Sequence, residues 1–152
     1  MRRLRSLFSV SPARRALALE AFVALVKAWA LVRFRPFSAY VVRLGQPLPG
    51  ETPGLPPADL GLLRDLRWAV GAVNKTLGGR FTCLMQAMAA KEILNRRGVS
   101  NALVLGARRG TPDELPAGDA MAAHAWLWAG ERIILGGEGR EGFIPVASYR
   151  SG

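Results

Sequence analysis

The chain has 152 residues, half of them hydrophobic, with 21 lysines and arginines against 11 acidic residues and a formal net charge of +10. That length fits one domain with a sizeable core, and the absence of repeats or low-complexity tracts excludes wholesale disorder. A single cysteine excludes an intrachain disulfide framework, and with only one histidine beside it a zinc cluster is excluded too, so the expectation is a free thiol in a cytoplasmic protein with no metal and no cofactor.

The first residues carry Arg2, Arg3, Arg5, Arg14 and Arg15. Such charge suits a nucleic acid, an anionic membrane or an acidic peptide. No nucleic-acid motif or interleaved stacking aromatics accompany it, so nucleic acid is not expected as a partner. The run ALALEAFVALVKAWALV looks like a membrane span, but Glu20 and Lys27 interrupt it well short of the ~18 uncharged apolar residues that spanning needs. At ~100° per residue the two charges share a narrow strip, while Leu17, Phe22, Val23, Leu25, Val26, Trp29 and Val32 occupy the rest of the circumference. The pattern predicts a buried helix with one solvent stripe; contact of its basic end with a membrane surface or a partner is the secondary reading.

Residues 35–59 hold six prolines and three glycines, which predicts an extended surface connection without regular helix. It divides an N-terminal helical segment, 1–58, from a second unit, 59–152. Asp59 is a fair N-cap for a helix from Leu60 to Leu77, closed by Gly78. The next helix is expected from Cys83 to Arg97, capped by Thr82, ended by Gly98 and supported by a Glu92–Arg96 pair. Its alanines, Ala87, Ala89 and Ala90, suit a central position with close neighbours. NALVLGA reads as a strand and RRGTPDELPAGDAMA as a long loop. HAWLWA and RIILGG read as a hairpin about Gly130 and Glu131, and FIPVASY as a last strand. The expected class is α+β, one helix packed on an antiparallel sheet.

Cys83 thus stands at a helix start, where unpaired N–H groups stabilise a thiolate and can also stabilise an oxyanion developing on an attacked carbonyl. His124, 41 residues on in a strand-like run, is a base able to take the thiol proton and return it to a leaving amine. Spacing alone leaves this reading balanced against an inert buried thiol and an ordinary strand histidine.

CLMQAMAAKEILNRRGVSNALVLGARRG, AHAWLWAGERIILGG and FIPVASY, together with LRDLRWAVGAVNKTLGG before the cysteine, resemble the transglutaminase-like cysteine-protease domain of lasso-peptide biosynthesis proteins from about residue 60 to 149. The resemblance implies a papain-like core and a leader peptidase, with Cys83 as nucleophile and His124 as base. It implies a precursor peptide as substrate and a separate small leader-recognition protein, because this chain is too short for a fused one. An ATP-dependent lasso cyclase would act on the product. A transglutaminase-like acyl transferase uses the same two residues with an amine acceptor, and a catalytically inactive binding module is the third alternative. No phosphate-loop pattern occurs, so ATP use by this chain is not indicated.

A cysteine–histidine pair normally has a third group that orients the imidazole. The family's aspartate commonly falls 12 residues after the histidine, which here is Gly136. A two-residue turn would set His124 opposite Gly137, so neither position offers a side chain. Glu138 is the nearest carboxylate and the candidate third member, with Asp119 and Asp113 as further candidates and a backbone carbonyl or water as a substitute. Trp126 and Trp128, on the His124 face, and Thr82 are the candidate substrate-binding residues.

Overall fold

The computed structural model describes residues 10–47, 54–110 and 121–152. Helix α1 (Pro12–Phe34) begins at Ser11, whose hydroxyl accepts a hydrogen bond from the Arg14 N–H, with Pro12 in the first turn where no N–H is needed. A short helix α2 (Phe37–Tyr40), a 3-10 turn (Val41–Leu44) and a two-residue strand β1 (Gln46–Pro47) follow. Helix α3 (Leu60–Thr76) is capped by Asp59, which accepts from the Gly61 N–H at 2.9 Å. Helix α4 (Cys83–Arg96) is capped by Thr82, which accepts from the Met85 N–H at 3.3 Å. Strands β2 (Asn101–Arg109), β3 (Met121–Ala129), β4 (Arg132–Leu135) and β5 (Ile144–Ser151) complete one antiparallel sheet in the order β1-β5-β2-β3-β4. The α+β class and the helix boundaries at the caps match the sequence expectations; Gly78 and Gly98 take φ of +85° and +67° just past α3 and α4.

One core joins all layers. Leu17, Ala21, Ala24, Leu25 and Ala28 of α1 share it with Leu66 and Val70 of α3, Ala87, Ala90 and Leu94 of α4, and Leu103 and Leu127 of the sheet. The division at residue 58 therefore does not separate two cores. The 35–59 segment also departs from expectation: Phe37–Leu44 forms helical turns and buries Tyr40 and Leu44, because no proline lies between Pro36 and Pro47 to interrupt them.

The charged strip on α1 borders its buried side, with Leu17 and Leu25 buried as expected and Lys27 still exposed. Glu20 bonds the Arg97 guanidinium through both oxygens at 2.9 Å and also meets Arg96, while Lys27 pairs with Glu92, so the charged strip is spent on the C-terminal half of α4. The Arg97 hydrogen bonds hold the Glu20 carboxyl below the usual carboxylate range. Leu19, Phe22, Val23, Val26 and Trp29 face outward instead. The buried side of α1 combines Leu17 and Leu25 with Ala21, Ala24 and Ala28, small side chains that let neighbouring helices approach closely. Among the described residues no helix is long and apolar enough to cross a membrane.

Lys91 is the largest charged group in the interior. It reaches from α4 to Asn101 Oδ1 at 2.6 Å and to the Tyr149 carbonyl, and burial lowers its pKa to about 8. Asn101 in turn donates to Asn95 Oδ1 at 2.8 Å. Tyr149 is the strand partner of Leu103, so as α4 runs back from Asn95 to Lys91, β2 runs forward from Asn101 to Leu103. The helix and β2 are antiparallel.

Candidate active site

That antiparallel run sets the level of the site. Cys83 lies twelve positions up α4 from Asn95, a rise of ~18 Å. His124 is the strand partner of Gly106, five positions up β2 from Asn101 and ~17 Å along. The sole thiol and the sole imidazole therefore stand at the same end of the helix–sheet layer.

Cys83 is half-buried and falls on the face of α4 that carries Ala87 and Leu94 into the core. Thr82 fixes the helix start: its hydroxyl takes the Met85 N–H and its carbonyl takes the Gln86 N–H. The N–H groups of Cys83 and Leu84 have no hydrogen-bond partner among the described residues. Gln86 donates from Nε2 to the Phe81 carbonyl at 2.9 Å, and Asn74 Oδ1 accepts from the Phe81 N–H at 3.0 Å, so the approach to the cysteine is tied at both ends. Sequence reasoning missed Asn74 and Gln86, whose partners are main-chain atoms that only the folded loop brings near.

The imidazole is held by main chain. Gly136 O lies 2.7 Å from His124 Nε2. A carbonyl oxygen can only accept, so Nε2 carries the proton and, in the neutral ring, Nδ1 keeps the lone pair. The hairpin turns at Gly130–Glu131 as expected, with Ala129 opposite Arg132 and Trp128 opposite Ile133. The register then shifts, and Leu127 faces Leu135. This bulge overturns the expected pairing of His124 with Gly137 and carries the Gly136 carbonyl to the imidazole. Gly136 itself has φ +75°, and a Cβ there would lie 2.3 Å from Ala125 O.

Glu138 is elsewhere. Its side chain is 97% exposed and sits 3.7 Å from Arg67, so the carboxylate expected to orient the imidazole faces solvent. The bulge that brings the Gly136 backbone inward sends the following residues out. Asp113 and Asp119 lie outside the described residues. Among the described residues no group of three or more His, Cys, Asp and Glu could hold a metal ion.

Leu127 and Ala129 belong to the core under α4, so strand alternation puts His124, Trp126 and Trp128 on the other face. There the imidazole lies between Trp126 and Phe143, with ring centroids 5.9 and 5.3 Å away. Trp126 is 1% exposed and seated against Gly106, where any Cβ would come within 2.6 Å of the indole. It packs the histidine and offers no open wall, whereas Trp128 is half-buried. Gly106 and Phe143 are positioning residues that the sequence reading passed over; the glycine inside an otherwise apolar strand was the available signal. No hydrogen bond joins Cys83 to His124: the fold brings them to one end of the layer without closing the pair.

A family model described as the transglutaminase-like superfamily matches residues 21–148. The chain belongs to the transglutaminase-like superfamily. The match starts inside α1 and ends in β5, so it takes in the whole helix–sheet layer with Cys83 and His124. Members of this superfamily are generally cysteine-dependent enzymes, which fits either a cysteine protease or an acyltransferase. No curated protein and no solved structure matches the chain.

Proposed function

We propose that this transglutaminase-like protein is a cysteine endopeptidase that removes the leader from a ribosomally made, lasso-type precursor peptide at the leader–core junction. The observation that carries the reading is the His124 Nε2–Gly136 O hydrogen bond at the level of Cys83, because it fixes the imidazole tautomer that leaves Nδ1 as the base. His124 Nδ1 takes the Cys83 thiol proton and the thiolate attacks the scissile carbonyl carbon. The open N–H groups of Cys83 and Leu84 receive the oxyanion. As the C–N bond breaks, the imidazolium protonates the leaving amine, and a water molecule then resolves the thioester. His124 lies on the face of β3 turned away from the core under α4, so closure of Sγ on Nδ1 requires the start of α4 and this end of β3 to shift relative to each other on substrate binding; catalytic contacts are often long before substrate arrives. The backbone carbonyl stands in for the carboxylate, which a thiolate–imidazolium pair requires less than a serine nucleophile does.

A separate small protein holds the leader and delivers the junction as a tethered, effectively intramolecular substrate, and an ATP-dependent cyclase consumes the released core. The test is mass spectrometry of precursor incubated with the protein, with and without that partner. Wild type should cleave, Cys83→Ala and His124→Ala should not, and the partner should raise the rate by about 10²-fold or more. Turnover by a folded Cys83→Ala protein excludes the covalent mechanism, and trapping of an added amine instead of water indicates acyl transfer.

The open Cys83–His124 pair favours one other reading, a non-catalytic binding module. A Cys83 thiol that resists alkylation by iodoacetamide while the chain still binds precursor would select it.

A further inference from the structure

The outward apolar side of α1 is concave where it meets α3. Leu19, 66% exposed, and Phe22 border a recess of about 270 Å³ against Ala72 and Val73. Val26 and Trp29 border a second, of about 660 Å³, against Gly78, Arg80 and Phe81. Thr76 and Leu77 line both, so the two form one groove. Arg15 lines one end and Arg80 the other; no acidic residue lines either recess, and neither arginine has an ion-pair partner among the described residues. From Arg15 to Trp29 the groove follows α1 for ~21 Å, the span of about six extended residues. Its far end is Phe81, two residues ahead of Cys83.

From this we infer that the groove seats a segment of the substrate polypeptide itself, a short stretch with apolar side chains in its middle and carboxylates at both ends. The apolar floor selects the middle, and the cationic ends without a competing acid select the carboxylates. A recess walled by α1 and α3 fits a peptide better than a bilayer, which takes up a convex apolar helix face. Termination beside the loop that opens α4 makes the occupant the chain being cut. The inference rests on Cys83 as the nucleophile.

The experiment titrates Cys83→Ala protein with a fluorescein-labelled peptide of roughly ten residues, leucine and phenylalanine in the middle and glutamates at both ends, read by anisotropy. Saturable binding is expected. Leu19→Glu and Val26→Glu, both at exposed positions that the fold does not need, should each weaken it by about tenfold or more, with circular dichroism checking the helices. Arg15→Glu combined with Arg80→Glu should reverse the preference toward a lysine-ended peptide. Binding that is absent, equal in the variants, or as tight for the lysine-ended peptide on the unsubstituted groove overturns the inference. So does Leu19-dependent binding to phosphatidylglycerol vesicles without peptide binding. Wild-type cleavage of precursor with no peptide binding defeats the groove alone, whereas cleavage by Cys83→Ala defeats the nucleophile, so the two failures are distinct.

Discussion

Gly136→Ala tests the main-chain clamp on the imidazole. The backbone there has φ +75°, a region that costs a residue bearing a Cβ ~1–2 kcal/mol. The added Cβ would also lie 2.3 Å from Ala125 O and 2.9 Å from Trp126 Cα, both main-chain atoms of β3, so no side-chain rotation relieves the overlap. Moving β3 or the bulge to make room resembles overpacking, at ~1–3 kcal/mol. The sum, about 2–5 kcal/mol, should appear as a lower urea midpoint with an unchanged slope. Relaxation of the bulge carries the Gly136 carbonyl off His124 Nε2, now 2.7 Å away, and a displacement of ~1 Å in a catalytic group costs about 10²-fold in rate. Cleavage should be compared at a temperature where both proteins are folded. Gly136→Asp should fail in the same way, so the carboxylate common in the family at this position is not simply restored. A Gly136→Ala protein with wild-type stability and rate would refute both the left-handed geometry and the clamp.

Glu138→Gln should change the cleavage rate by less than about twofold, because its carboxylate is solvent-exposed and near only Arg67; a loss of several orders of magnitude would return Glu138 to the imidazole. Lys91, at about 8 in the folded protein against 10.5 unperturbed, binds its proton less well folded than unfolded. Between pH 8 and 10.5 the unfolded chain therefore holds more protons, and stability should rise with pH across that window by up to about 3 kcal/mol. Denaturant unfolding at successive pH values should show the rise in wild type and not in Lys91→Met; a wild-type curve that is flat or falling there contradicts a lysine buried at the cost of its charge.

Local signals in the sequence were sufficient for the three long helices and for strands β2 to β5, and they singled out the two candidate reactive residues. Asp59, Thr82, Gly78 and Gly98 marked helix ends because capping and left-handed glycines act over a few residues. The solitary cysteine at a helix start and the solitary histidine in an alternating strand were visible for the same reason. What depended on partners far along the chain was decided only by the folded structure. The α1 periodicity separates charged from apolar positions but does not say which apolar residues meet α4; in the fold Leu17, Leu25 and the alanines enter the core, Glu20 and Lys27 pair with Arg97 and Glu92 at its border, and Phe22, Val26 and Trp29 face outward. The hairpin arithmetic was right for two pairs and failed at the bulge, since one extra residue on an edge strand leaves no pattern in composition. That residue's worth of shift put a backbone carbonyl, which every residue possesses and no sequence motif can announce, where an acidic side chain had been sought.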